Sequence, residues 1–217
     1  MIAIQYRGRK DRLTKMATIF KDYLSGNVLD VGCDARYLAN LVLGPYTGVD
    51  IAGNPDAYVD LECPLPYPDN GFDTVVCMDV LEHVDHLHAA FDELCRVSRR
   101  YLIIGLPNEL EWWLRFQMVI LGRFSGNYRL TAEPPTDRHR WAFNLKEARD
   151  FLKRRGALNG FDVVNEAYAF RGWRRWPARM ISTLGCQLAP LGANLLAKAY
   201  WAVLSNENHG PRKSLAA

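Results

Sequence analysis

The sequence predicts an α/β fold, a single mostly parallel sheet with helices on both faces. Three observations predict it. Short apolar runs such as Val28-Leu29-Asp30-Val31 alternate with stretches whose apolar residues recur at helical spacing. That alternation implies right-handed βαβ units, which build parallel sheets. The 217 residues suit one domain (1–217), and an apolar content of 49% is enough to bury a full core.

Each element has its own signal. Leu13, Met16, Ala17, Phe20 and Leu24 share a helical face, and Gly26 offers a stop. Val28 to Val31 is a first strand, followed by the turn Gly32-Cys33-Asp34 and a helix expected over Ala35 to Leu43, ended by Gly44-Pro45. Tyr46 to Val49 is the next strand, finishing at Asp50, and Phe72 to Met78 is a third. Leu87, Ala90, Phe91, Leu94 and Val97 mark an amphipathic helix, Tyr101 to Leu106 a buried strand, and Glu109 to Leu121 a further helix. Asn144 and Glu147 have capping-box spacing ahead of a helix that Gly156 ends. Phe161 to Phe170 and Tyr200 to Leu204 complete the strands.

Composition excludes several classes. The net charge is only +3, with no long basic run, so no nucleic acid is expected as a partner. The five cysteines form no C-x-x-C pair, which argues against a disulfide framework or structural zinc and for a reducing, cytoplasmic setting. No signal peptide is visible at the N-terminus. Met180 to Ala197 runs 18 residues without a charge, but its polar residues, Gly185 and Pro190 suggest two short helices rather than a membrane span.

Open α/β sheets bind ligands at the carboxyl ends of their strands, near the topological switch point. The first strand ends in Asp30-Val31-Gly32-Cys33-Asp34, and the second ends in Asp50, 20 residues after Asp30. An acid at that second strand end is placed to accept both hydroxyls of a ribose. The tight turn lets the backbone approach the ligand closely.

The run Val28 to Cys33 resembles the first motif of class I S-adenosylmethionine-dependent methyltransferases, of the type 11-like branch. Leu65-Pro66-Tyr67-Pro68-Asp69-Asn70-Gly71-Phe72-Asp73 is similar to that family's Leu-Pro-Phe-Pro-Asp run, and Asp79-Val80-Leu81-Glu82-His83-Val84 to its post-strand signature. Leu106-Pro107-Asn108, Trp113 to Gln117 and Leu121-Gly122-Arg123 also resemble the methionine-biosynthesis MetW branch. The resemblance implies a Rossmann-like, mostly parallel seven-stranded sheet with a cofactor-binding core over residues 26–165. It implies S-adenosyl-L-methionine as cofactor, with Gly32 and its neighbours Cys33 and Asp34 cradling the methionine half and Asp30 orienting the ammonium. Asp50, with Ile51 beside it, would hold the ribose hydroxyls. Asp60 with the backbone of Leu61 would face the adenine, and Asp79 and Val80 would close over the cofactor. Such an acidic rim suits a cationic ligand.

Two departures from the pattern stand out. Asp34 and Arg36 occupy positions where the family usually has glycines, and Arg36 adds bulk where the next helix begins. Only nine residues separate Asp50 from Asp60, so the second crossover is expected to be a shortened loop through Gly53-Asn54-Pro55 that leaves one edge of the site open.

Candidate chemistry is sparser. His139, in Asp137-Arg138-His139-Arg140-Trp141, can act as general base on an acceptor hydroxyl, or be a loop histidine between arginines. Glu82-His83 reads as chemistry or as a helix entry. A metal on His83, His86 and His88 is not expected, since the first two share a helical face and the third points elsewhere. Asp73 reads as an acid holding a turn. Arg129, Arg138 and Arg140 can bind a phosphate or carboxylate, or can simply be solvated. Residues 171–199 are expected as a helical lid or a membrane-surface insertion, because tryptophan and arginine from Arg171 to Arg179 suit a headgroup layer. The expected acceptor is a small molecule, sugar or lipid-linked glycan methylated at oxygen, with peripheral contact at the inner membrane face through 171–197. The competing expectation, motivated by the MetW likeness, is a non-catalytic partner protein that scaffolds another enzyme.

Overall fold

The computed structural model describes residues 2–123, 128, 132–133, 138–171 and 193–206. One eight-stranded sheet runs through it: β1 (Ile2–Tyr6), β2 (Val28–Val31), β3 (Tyr46–Asp50), β4 (Ala57–Tyr58), β5 (Phe72–Met78), β6 (Ser98–Pro107), β7 (Phe161–Arg171) and β8 (Ala199–Asn206). Their order is β1-β7-β8-β6-β5-β2-β3-β4. All neighbours pair in parallel except β8, which lies antiparallel between β6 and β7.

Sheet strands point successive side chains to opposite faces, and here the alternation divides the core in two. Leu29, Val31, Val75, Cys77, Leu102 and Ile104 face a layer that includes α2 (Leu87–Val97) and α4 (Leu145–Leu158). Val28, Val76, Met78 and Ile103 face the other side, where α1 (Arg9–Ile19) lays down Leu13, Met16 and Ala17. Asn144 caps α4 as its spacing demands: its side chain accepts from the Lys146 and Glu147 N–H groups, and the Glu147 carboxylate accepts from the Asn144 N–H. Two further helices are α3 (Trp112–Ile120) and the short α5 (Ala193–Leu196).

Two expectations need correction. Among the described residues the sheet has eight strands, not the seven the resemblance implied: to the six read from the sequence, Ile2–Tyr6 adds an edge strand against β7, and two residues of the segment after Asp50 pair with β3 as β4. Neither run is long enough to announce itself by periodicity. The helix expected over Ala35 to Leu43 is instead a chain of turns, closed by Arg36 N–H to Cys33 O, Ala39 N–H to Arg36 O and Leu41 N–H to Leu38 O. Asp34 and Arg36 sit at φ 48° and 56°, left-handed values that a right-handed helix cannot contain.

From Ile51 to Gly71 the chain holds turns, bends and β4 but no helix. Most of the uncharged stretch from Met180 lies outside the described residues. No helix among those described is long and apolar enough to cross a membrane.

Candidate active site

The order of the sheet reverses between β2 and β5: the chain continues outward from β2 to β3 on one side and from β5 to β6 on the other. A cavity of about 570 Å³ opens at the carboxyl ends of these strands, where the switch-point rule places ligands. Its walls include all ten residues expected to contact a cofactor: Asp30, Gly32, Cys33, Asp34, Asp50, Ile51, Asp60, Leu61, Asp79 and Val80.

The turn after β2 is knitted to β3. Gly32 and Cys33 both donate their N–H groups to Val49 O, at 2.8 and 3.2 Å. Asp50 accepts the Asp34 N–H at 2.8 Å on one carboxylate oxygen and the Ala52 N–H at 3.2 Å on the other. Each oxygen retains a second lone pair, so the carboxylate is fixed in place and can still accept from a ligand hydroxyl. Asp60 is held similarly, accepting the Glu62 N–H at 2.9 Å.

Asp30 is buried and accepts the Tyr46 hydroxyl at 2.8 Å. Burial is the main reason its carboxyl is pushed up to about 7; the Tyr46 hydrogen bond opposes this and the Asp50 charge adds to it. Burial, with the Asp30 and Asp50 charges, pushes the Cys33 thiol up to about 12, so it stays protonated and is no nucleophile.

Arg36 does not enter the cavity. Its guanidinium pairs with Asp56 at 2.8 Å and lies 5.6 Å from the centroid of the Tyr46 ring, so its bulk is directed elsewhere. Asp73 accepts the Asn27 N–H at 3.0 Å, which makes it a turn-holding acid.

A second cavity of about 530 Å³ adjoins the first, and Arg9, Arg12 and Asp79 line both. Tyr6, Arg7, Arg171, Lys198 and Trp113 line it together with the acids Glu109 and Glu111, the last paired with Lys198. Arg12 pairs with Asp79 across the junction, and Asp79 adopts φ 56° there. Of these residues Tyr6, Arg7, Arg9, Arg12 and Lys198 carried no motif. The periodicity of α1 marked only its buried face, and Arg12 and the β1 residue Tyr6 reach the site because that helix and strand pack beside the strand ends.

His139 is not among the residues lining either cavity. Its Nδ1 lies 2.8 Å from Glu109, a wall residue of the second cavity, and its ring packs edge-on to His83, a wall residue of the first, at 4.6 Å between centroids. The loop carrying it is pinned to the segment after β5: Arg140 and Trp141 donate N–H groups to Glu82 O at 2.7 and 3.3 Å, and the Trp141 indole donates to Val84 O at 2.8 Å. The three neighbouring histidines are separated. His86 contacts Glu62, while His88 packs on Trp141 and Phe151. Arg138 lines the first cavity, Arg140 also lines it while pairing with Asp85 at 2.9 Å, and Arg129 lies outside the described residues.

The model of a family described as a methyltransferase domain matches residues 4–165. Among solved structures, a methyltransferase from Archaeoglobus fulgidus, described as S-adenosylmethionine-dependent, superposes with TM-score 0.59 at 17% identity over 92% of this chain and 96% of its own. Magnesium protoporphyrin IX methyltransferase from Synechocystis, crystallised with S-adenosylhomocysteine, gives 0.57 at 17% identity over 91% and 83%. The [4+2]-cyclase SpnF gives 0.55 at 14% identity over 95% and 88%. At these identities the likeness is one of fold. No curated protein sequence matches the chain.

Proposed function

The chain belongs to the methyltransferase domain family, and from that premise we propose that its two adjoining cavities bind S-adenosyl-L-methionine and a small-molecule acceptor. The observation that carries the reading is the convergence of Asp30, Gly32, Asp50, Asp60 and Asp79 on one cavity at the switch point. Asp50 is oriented for ribose hydroxyls, Asp60 and Leu61 for the adenine, and Asp30 for the ammonium. Gly32, Cys33 and Asp34 form the cradle, with Asp79 and Val80 covering it.

The sulfonium cofactor brings an activated methyl group, so the protein's work is to align an acceptor atom with it and to exclude water. The second cavity is the acceptor side. Its Arg7 and Arg171 favour an acceptor bearing a carboxylate or phosphate, while Arg12 and Lys198 are paired with Asp79 and Glu111, and its Trp113 and Tyr6 give apolar contact. Such chemistry fits a sugar or lipid-linked glycan methylated at oxygen. His139, beside Glu109 and behind the cavity wall formed by His83 and Glu109, is the candidate base for the hydroxyl proton.

Residues 171–199 would complete the acceptor side as a lid or as a peripheral contact at the inner membrane face. Trp112, Trp113 and Phe116, exposed on α3, support the membrane form. Liposome flotation with and without residues 171–197 tests it.

The rival reading, a non-catalytic partner protein, is motivated by the MetW likeness, and Asp34 and Arg36 in place of glycines would add to it. Both residues adopt the left-handed backbone a glycine would supply, and the Arg36 side chain turns to Asp56, so neither disables the cavity. Calorimetry with S-adenosylmethionine and S-adenosylhomocysteine decides the matter: micromolar binding supports the enzyme, and no heat at high micromolar ligand removes it.

A further inference from the structure

We infer that Glu82, His83 and His139 form a binding site for a divalent transition-metal cation at the junction of the two cavities. One ligand atom from each of the three lies within 4.8 Å of the others. The Glu82 carboxylate is 3.9 Å from His83 Nε2, and a zinc-like ion with bonds of about 2.1 Å holds its ligands roughly 3.4 Å apart. Closure from these separations, by about 1.4 Å at most, is a side-chain adjustment.

The surroundings are those of metal-binding imidazoles. A ligating histidine donates its remote ring N–H to a carboxylate or a backbone carbonyl, which fixes the tautomer and leaves the other nitrogen basic. His83 Nδ1 meets the Arg138 carbonyl at 3.3 Å in this way, while the Glu109 carboxylate lies 2.8 Å from His139 Nδ1 as an ion-pair contact without hydrogen-bond alignment. The Arg138 contact leaves His83 Nε2 on the side of the Glu82 carboxylate. The cluster is assembled over 57 residues of sequence by the backbone bonds that pin residues 140–141 to Glu82. It is built into the fold and is no accident of two mobile side chains.

Charge and access agree. Two acids, Glu82 and Glu109, stand beside the two imidazoles, and acidic neighbours suit a cation. Glu82 is buried, with a side-chain exposure of 1%, and His139 nearly so at 9%, whereas His83 at 32% opens onto the first cavity and gives the ion a way in. Two imidazoles and one carboxylate favour zinc, iron or cobalt over magnesium, which prefers oxygen ligands. The remaining coordination position would face the cavity junction, where an acceptor oxygen could bind. That part alone rests on the reading of the second cavity as the acceptor site.

The test uses the full chain, stripped with chelator and dialysed, with Zn²⁺ and Co²⁺ as probes and no acceptor present. One equivalent should bind with micromolar or tighter affinity, and Co²⁺ should show the visible absorption of a nitrogen-ligated ion. Glu82→Gln, His83→Ala and His139→Ala should each weaken binding at least thirtyfold, and His86→Ala should leave it unchanged. S-adenosylhomocysteine affinity, measured on the same samples, reports that the variants are folded. Absence of metal binding in a protein that takes up S-adenosylhomocysteine overturns this inference alone, as does binding that survives all three ligand variants. Metal binding without nucleoside binding would retain the site and overturn the function proposed above.

Discussion

The Asp50 carboxylate accepts the Asp34 backbone N–H at 2.8 Å, so the residue expected to grip the ribose also fixes the turn expected to cradle the rest of the cofactor. Asp50→Asn keeps one oxygen acceptor for one of the two N–H groups, of Asp34 and Ala52, but turns a donor amide toward the other. Asp50→Ala leaves both donors without it. We expect S-adenosylhomocysteine affinity to fall about tenfold in the first variant and a hundredfold in the second, with stability reduced by about 1–3 kcal/mol in Asp50→Ala. Calorimetry and urea unfolding measure the two effects, and unaltered affinity in Asp50→Ala would remove Asp50 from the cofactor site.

Arg36 offers the opposite case. Its left-handed backbone costs about 1 kcal/mol relative to glycine, while its half-exposed pair with Asp56 and its position over Tyr46 return up to about 1 kcal/mol. Arg36→Gly should therefore leave both stability and S-adenosylhomocysteine affinity nearly unchanged, within about 1 kcal/mol and threefold. A large gain in affinity would mean that the arginine obstructs the nucleoside after all.

Much of this was legible in the sequence, for a physical reason. Val28 to Val31 and Phe72 to Met78 are central strands buried on both faces, and their apolar runs have no competing explanation. The acids at their tips were readable because the strand ends were. What escaped notice was held by tertiary context: β1 is short and lies on an edge, and Arg12 matters only through its long-range pair with Asp79. His83 and His139 are 56 positions apart in sequence, and no local pattern joins them. The helix expected after Asp34 failed because two residues of ordinary appearance take up a backbone usually reserved for glycine.

Asp30 makes binding sensitive to pH. Its folded carboxyl is raised to about 7, against an unfolded value of about 3.9. Between those values the folded chain retains a proton that the unfolded chain has released, so this group's contribution to stability falls as pH rises through the window and levels off above it. Binding the cofactor's ammonium favours the ionised carboxylate, so affinity should climb up to about tenfold per pH unit toward 7 and then flatten. Asp30→Asn keeps an acceptor for the Tyr46 hydroxyl and should abolish both slopes. Parallel pH series of unfolding and calorimetry on the two proteins check the signs.

His139 separates chemistry from binding. Whether it takes a proton directly or holds a cation, His139→Ala should lower turnover at least a hundredfold while S-adenosylhomocysteine affinity stays within twofold, since its ring lines neither cavity. Glu109→Gln should show a weaker form of the same defect, because it acts by orienting the imidazole. Unchanged turnover in His139→Ala would exclude the residue from the reaction.

Gly32 is constrained twice, by backbone and by space. It sits at φ 76°, and a Cβ added there would fall 2.2 Å from the Val80 Cγ2 methyl. Gly32→Ala should cost about 2–4 kcal/mol, combining about 1 for the left-handed alanine with about 1–3 for overpacking. Because Gly32 and Val80 both line the first cavity, S-adenosylhomocysteine affinity should fall at least tenfold. Trimming Val80 to alanine separates the two causes. In Gly32→Ala/Val80→Ala the clash is gone but the backbone still resists, so the double variant should remain about 1 kcal/mol less stable than Val80→Ala alone. If the pair instead unfolds together with Val80→Ala, the turn has relaxed away from its left-handed form. Recovered stability would then be expected without recovered affinity, since the cradle depends on that backbone and not on the absence of a methyl group.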